Sequence, residues 1–181
     1  MPKFTDIRKF TTASYSVTVD WPGLERHIAH HSNPSDGAVL DLDPDFQRAH
    51  VWDDGKRAAY VEFILRNGQS ARDLLFNCVG WNEDFRGPYV IVDGKQRLEA
   101  VRRFMRNDLA ITLPEVADRQ LVLSDFEDRI RCMTCYFNWK VNDLPDRASV
   151  LRWYLEINSG GVVHTAEELE RVRRLLAEET R

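Results

Sequence analysis

The sequence predicts an α+β fold: a mixed α/β core with a small, mostly helical C-terminal subdomain. Three observations predict it. Tyr89-Val90-Ile91-Val92 is a strand-forming run that enters Asp93-Gly94 and turns straight into a helical pattern, with Leu98, Val101, Met105 and Leu109 at i, i+3, i+7 and i+11. Upstream of that turn, strand patterns and helical patterns interleave. Beyond Leu113-Pro114 the character changes, and one aromatic strand is followed by two helical stretches. The expected organisation is one domain over residues 1–181, with a core at 14–112 and a helical extension at 113–181.

Residues 1–13 are polar and carry no period. Tyr15, Val17 and Val19 alternate with Ser and Thr, the pattern of a half-buried strand. Asp20-Trp21-Pro22 opens a short helix, with Asp20 as N-cap, Pro22 in the first turn, and Leu24 and Ile28 as its apolar line. His27 and His31 lie four apart on one face. They read as an exposed pair at a helix end rather than metal ligands, because no glutamate stands between them and Ser32-Asn33-Pro34-Ser35-Asp36-Gly37 is a loop.

Val39 to Leu42 is a second short strand, ended by Asp43-Pro44. Trp52 is expected to anchor the next loop in the core. Asp53 or Asp54 caps a helix that buries Ala58, Val61, Ile64 and Leu65 and stops at Asn67-Gly68. Leu74 to Val79 is a third, apolar strand, and Trp81 to Pro88 is a polar turn region that returns the chain to Tyr89. Val90 to Val92 has no polar alternation, as expected of a strand buried on both faces.

Further on, Ser124-Asp125-Phe126-Glu127 starts a short helix. Arg131 to Val141 reads as a strand with Met133, Cys135, Phe137 and Trp139 on one side. Leu144-Pro145-Asp146 opens a helix with Ala148, Leu151, Tyr154 and Leu155 inward. It ends at Asn158-Ser159-Gly160-Gly161, where glycine permits a tight reversal. Thr165-Ala166-Glu167-Glu168 has capping-box spacing for the last helix.

Composition excludes several classes. With 43% apolar and 30% charged residues, the 181-residue chain is ordinary for a globular protein. It has no apolar run long enough to span a bilayer, and Met1-Pro2-Lys3-Phe4-Thr5-Asp6 lacks the apolar stretch of a secretory signal, so a cytoplasmic location without membrane contact is expected. The net charge of −4 rules out a basic nucleic-acid coat. Arg102, Arg103 and Arg106 lie off the apolar stripe, and Glu99 stands four residues before Arg103. That patch reads as a solvated helix face. The three cysteines make no disulfide framework, and Cys132-x-x-Cys135 lies on a predicted strand, where its members point to opposite faces. The five histidines, His27, His30, His31, His50 and His164, assemble no metal-nuclease constellation.

Chemistry concentrates at the strand–helix turn. A strand that turns sharply into a helix leaves backbone N–H groups at the helix N-terminus, a ready-made anion site. Gly94 permits close approach of a ligand, and Lys95 and Arg97 add positive charge. Asp93 suits either a helix cap or a divalent cation beside a phosphate. On the residues alone, a capped turn with solvated charges remains the competing explanation.

Three stretches in order carry a resemblance. Asp93-Gly94-Lys95-Gln96-Arg97 resembles the D-G-Q-Q-R signature of the N-terminal domain of GmrSD-type (type IV) restriction proteins, within the ParB/sulfiredoxin-like superfamily. Asp45-Phe46-Gln47-Arg48 with Val51-Trp52 is similar to that family's upstream element. Ile157-Asn158-Ser159-Gly160-Gly161, leading into Glu167-Glu168-Leu169, is similar to its downstream element. The resemblance spans about residues 39–171 and departs at Lys95, where the family has Gln.

The resemblance implies a ParB/sulfiredoxin-like core that binds a nucleoside triphosphate with Mg²⁺. Gln47, Arg48, Gly94, Lys95 and Asn158 would contact the nucleotide, and Asp93, Gln96 and Arg97 would be catalytic, with Asp93 as metal ligand. Gln96 or Gln47 would orient the attacking water. Arg48 offers a planar fork suited to phosphate, with Asp43, Asp45 and Asp53 as competing partners. The implied activity is nucleoside-triphosphate hydrolysis in a DNA-related defence or phage setting, with DNA, a nuclease or another defence protein as partner. Long family members carry a C-terminal nuclease domain. Two alternatives stay open: a nucleotide-gated DNA- or protein-binding module without turnover, and a metal-dependent nuclease built on Asp93.

Overall fold

The computed structural model describes residues 2–3, 7, 11–32, 39–47, 52–84, 87–128, 134–158 and 166–180. Arg48, His50, Val51, Cys132, Met133, Ser159, Gly160, Gly161, His164 and Thr165 lie outside them. The chain begins with β1 (Tyr15–Asp20), a 3-10 turn (Trp21–Gly23) and α1 (Leu24–His30). Next come β2 (Leu40–Asp41), α2 (Asp54–Leu65), β3 (Asp73–Cys78) and α3 (Trp81–Asp84). They are followed by β4 (Tyr89–Asp93), α4 (Lys95–Met105), β5 (Ile111–Thr112) and β6 (Gln120–Leu121). A 3-10 turn (Leu123–Asp125), β7 (Tyr136–Asn142), α5 (Arg147–Asn158) and α6 (Ala166–Glu179) complete the described elements.

The architecture is α+β. A mixed five-stranded sheet runs in the order β1-β7-β3-β4-β2, with β5 and β6 as a separate two-stranded ribbon. β1 is antiparallel to β7, β7 parallel to β3, β3 antiparallel to β4, and β4 parallel to β2. The expected division at residue 112 does not describe this sheet: β7, from the second half, sits between β1 and β3.

Both sheet faces are covered, which explains the unbroken apolar run of β4. Ile91 packs with Phe76, Phe137 and Trp139 against Leu24, Val61, Leu98, Val101 and Phe104 from α1, α2 and α4. Phe76 stacks on Trp139 with centroids 3.8 Å apart. On the other face Val92 joins Phe46 and the helical pair α5–α6 through Val150, Leu151, Trp153, Tyr154 and Val172. Trp52 packs against the first core, its ring 5.7 Å from Tyr60, as an anchor of its loop.

Local chemistry sets the element ends. Asp20 Oδ1 accepts from Gly23 N at 3.0 Å, and the capped turn precedes the helix with Leu24 and Ile28 buried. Asp53 is the cap of α2, accepting from Lys56 N at 2.8 Å. That helix ends with Asn67 at φ 61° and Gly68 N donating to Phe63 O at 2.9 Å, so asparagine takes the left-handed position. Trp81 to Pro88 is not wholly a turn: α3 forms there, and Trp81 is buried. The helix expected at Ser124 is a 3-10 turn.

The two paired histidines are not an exposed pair. The His27 ring lies 4.6 Å from Trp139 and 4.6 Å from His31, and His31 lies 4.5 Å from Tyr89. Burial pushes the His31 pKa down to about 4, with His27 and His30 adding repulsion. Burial, then His30, lowers His27 as well. Among the described residues no group of three or more His, Cys, Asp or Glu is arranged to hold a metal, and no helix is long and apolar enough to cross a membrane.

Candidate functional site

The β4–α4 turn is built as its sequence suggests, with one change of role. The cap position belongs to Gly94, at φ 98° and without a side-chain cap bond, so Asp93 does not cap the helix. The first helical hydrogen bond runs from Leu98 N to Gly94 O at 2.9 Å. A Cβ at Gly94 would lie 2.5 Å from Leu74 Cδ2 and 3.2 Å from Asp73 O, so packing as well as φ demands glycine.

Each charge at the turn has an internal partner. Arg97 Nη2 donates to Asp93 Oδ2 at 2.7 Å and to the Asp73 carbonyl at 2.8 Å. Lys95, only 5% exposed, pairs with Asp43, whose side chain is open to solvent. Asp73 extends the charged group, accepting from Asn138 Nδ2 at 2.8 Å and from Lys140 Nζ at 2.7 Å. Burial raises the Asp73 pKa, but the Lys140 and Asn138 hydrogen bonds and the Lys140 and Arg97 charges bring it below the usual value. Lys140, Asp73, Arg97 and Asp93 thus alternate in sign at one end of the sheet.

The upstream stretch folds onto this turn. Gln47 Nε2 donates to Ile91 O at 2.7 Å, two residues before Asp93. Trp52 N donates to Gln96 Oε1 at 3.3 Å. Gln47 and Gln96 therefore tie the loop after β2 to β4 and α4. The last helix closes over the same loop: Arg171 Nη2 donates to Phe46 O at 3.2 Å and Gln47 O at 3.0 Å. Asp45 lies apart from the turn, held by Arg147 at 2.8 and 3.0 Å. Arg48 is outside the described residues. Asn158 is buried, its amide donating to Tyr154 O at 2.7 Å within its own helix.

A cavity of about 430 Å³ opens beside this loop, lined by Asp41, Pro44, Phe46, Val90, Arg147 and Val150 among others. The residues of the β4–α4 turn are not part of its described lining. The arginines of α4 are not a free basic patch. Arg102 holds Glu25 at 2.6 and 3.1 Å, Arg103 holds Asp54, and Arg106 reaches Asp108 at 3.2 Å. Glu99 pairs with Arg106 at 3.6 Å rather than with Arg103.

Asp43, Asp73, Asn138 and Lys140 were not sequence candidates. Asp43 stands out locally only as a strand terminator and as one of three carboxylates near Arg48, and Asp73 only as the residue before an apolar run. Their partnership with the turn exists only once β2, β3 and β7 are assembled.

No protein-family model matches this chain, and no curated protein or solved structure shows significant similarity to it.

Proposed function

We propose that the chain has a ParB/sulfiredoxin-like core and binds a nucleoside triphosphate with Mg²⁺ at the β4–α4 turn, hydrolysing it in a DNA-related defence or phage setting. One observation carries the reading. Two of the three stretches that resemble the GmrSD-type family, distant in sequence, are bonded together, with Gln47 to Ile91 on the strand entering the signature and Trp52 to Gln96, and Arg171, just beyond the third stretch, bonds to Phe46 and Gln47.

In this reading the backbone at Gly94 and the following residues cradles phosphate, and Arg97 and Arg48 neutralise charge on the transferred group. Asp93 is the carboxylate for the cation, since Mg²⁺ is commonly held by one or two carboxylates and the phosphates themselves. Held there by Asp93, Mg²⁺ would supply positive charge against the phosphates. Gln96 or Gln47 orients the water. The Arg97–Asp93 pair supplies both halves of such a site: Arg97 turns to the phosphate as Asp93 turns to the cation.

A second reading, a nucleotide-gated DNA- or protein-binding module without turnover, draws on the same pair. Arg97 and Lys95 are both ion-paired within the chain, so a phosphate must exchange with Asp93 and Asp43. Such an exchange is a switch whether or not hydrolysis follows. A nuclease would need metal donors beyond Asp93, and among the described residues no group of three or more His, Cys, Asp or Glu is arranged to hold a metal.

A thermal-shift panel of the four ribonucleoside triphosphates with Mg²⁺, followed by phosphate release for each binder, tests these readings. Phosphate release from pure protein supports the hydrolase. Stabilisation without release supports the gated module, and no stabilisation by any of the four rejects both.

A further inference from the structure

Lys140 is linked to the β4–α4 turn through Asp73. In the parallel pairing of β3 with β7, Asp73 stands opposite Asn138 and Leu75 opposite Lys140. Strand residues two apart share a face, so Asp73, Asn138 and Lys140 project to the same side of the sheet. Lys140 Nζ donates to Asp73 Oδ2 at 2.7 Å, and Asn138 Nδ2 donates to Asp73 Oδ1 at 2.8 Å. Both carboxylate oxygens are therefore held by β7.

The carbonyl of Asp73 belongs to the turn instead. It accepts from Arg97 Nη2 at 2.8 Å, and a Cβ at Gly94 would stand 3.2 Å from it. Asp73 thus sits between β7 and the backbone that would cradle phosphate. A carboxylate is only a few bonds from the carbonyl of its own residue. Its charge therefore falls inside the screening length, about 10 Å at 0.1 M salt. Left bare, it would repel an anion at the turn. Two nearby guanidinium groups are engaged on other acceptors. Arg97 holds Asp93 at 2.7 Å, and Arg72 donates to the carbonyls of Gly68 and Thr134 at 2.8 and 2.6 Å. Lys140 meets the Asp73 carboxylate itself. That pair is partly open to water, with side chains 33% and 44% exposed, so its contribution to folding is small. Its charge balance is what bears on the turn.

We propose that Lys140 is a positioning residue of the phosphate site: it fixes and neutralises the Asp73 carboxylate, so that Arg97 and the Gly94 backbone meet an anion without a competing negative charge. The role rests on the reading of the β4–α4 turn as a phosphate site. Lys140 touches no phosphate in this scheme and acts only through Asp73. The two residues then have opposite effects on affinity. Lys140→Met leaves the carboxylate bare and weakens phosphate binding. Asp73→Asn removes the negative charge, leaves the ammonium in place and strengthens binding, while its amide oxygen still accepts from Asn138. A merely structural pair would give a loss in both cases.

The test titrates the full chain by calorimetry with Mg²⁺ and each of the four ribonucleoside triphosphates, and with Mg²⁺ and inorganic tripolyphosphate. At low salt Lys140→Met should bind about two- to fivefold more weakly than the parent, the scale of a partly exposed charge pair. Asp73→Asn should bind more tightly by a similar factor. The double variant Lys140→Met/Asp73→Asn should return close to the parent, and Lys140→Arg should match it. These differences should shrink at about 0.3 M salt, as screening requires. Equal binding by Lys140→Met and the parent overturns the role while leaving the phosphate reading in place. Weaker binding by Asp73→Asn, or a double variant no better than Lys140→Met, overturns it in the same way. Should Lys140→Met fail to fold, Asp73→Asn decides: tighter binding supports the role, and equal or weaker binding overturns it. A parent that binds none of the five probes overturns the phosphate reading and this role with it.

Discussion

Arg97 and Asp93 face each other across the β4–α4 turn, with Arg97 Nη2 2.7 Å from Asp93 Oδ2 and 2.8 Å from the carbonyl of Asp73. One guanidinium therefore joins the end of β4, the start of α4 and the start of β3. Its side chain is only 19% exposed, so these contacts are partly shielded from water. Arg97 thus belongs to the frame of the turn as well as to its candidate chemistry.

Arg97→Ala is accordingly expected to lose stability and nucleotide binding together. The stability loss should be about 1.5–3 kcal/mol, the range for hydrogen bonds to charged groups. Urea unfolding measures the first effect and nucleotide thermal shift the second. Arg97→Lys should keep part of the stability through Asp93, since one ammonium cannot reproduce the guanidinium fork. An alanine variant as stable as the parent would show that the two contacts do not hold the turn.

Asp93→Asn separates frame from chemistry. Gly94 is the cap, so the change leaves the helix start intact, and weakening one half-exposed ion pair should cost about 1 kcal/mol or less. Stabilisation by Mg²⁺ and a nucleoside triphosphate should disappear, as should any phosphate release. A variant that releases phosphate at the parent's rate would move the metal assignment to another carboxylate, first Asp43 beside Lys95.

Gly94→Ala should be harsher than its size suggests. A left-handed φ costs a non-glycine residue about 1–2 kcal/mol. The new Cβ would also stand 2.5 Å from Leu74 Cδ2. The expected result is a lower urea midpoint with an unchanged m-value. Unchanged stability would mean that the β4–α4 turn is not left-handed at this position.

The histidines predict a pH dependence of stability. His31 has its pKa lowered from 6.5 to about 4, so the folded state favours the neutral ring. Its contribution is fully present above pH 6.5 and falls as pH drops toward 4, where the unfolded chain takes the proton first. His27 adds in the same direction, its pKa being lowered too. His31→Phe should flatten this acid limb in urea unfolding measured across the window. An equally steep limb in the variant would assign the dependence to other groups.

Much of the local structure is legible in the sequence. The β4–α4 turn follows from an apolar run meeting Asp93-Gly94, and the alternation of Phe137 and Trp139 marks one buried face of β7. Asp20 and Asp53 both cap, because a short acceptor precedes the first amides at each site. What escapes the sequence is assembly. No local pattern says that β7 lies between β1 and β3, that Lys95 meets Asp43, or that Gln47 reaches Ile91. The α4 stripe also omits Ala100 and Phe104, which are buried because the helix packs over a wider arc than one narrow seam. His27 and His31 look exposed at a helix end until Trp139 and Tyr89 arrive from distant strands.

The sheet order has a consequence for synthesis. Tyr15 finds its cross-strand neighbour only at Val141, and β3 likewise meets β7 only through a late segment. While the chain leaves the ribosome, β1 waits without its β7 ladder partner until residues 136–141 have emerged. The β3–β4 hairpin and the α2 and α4 helices can gather earlier, since their contacts are closer along the chain. Completion is then a late insertion of β7 between two waiting strands, and such non-local pairing is intrinsically slow. During that interval the nascent chain carries two open strand edges, those of β1 and β3, that the finished protein joins through β7, and they are its most exposed surface for mispairing.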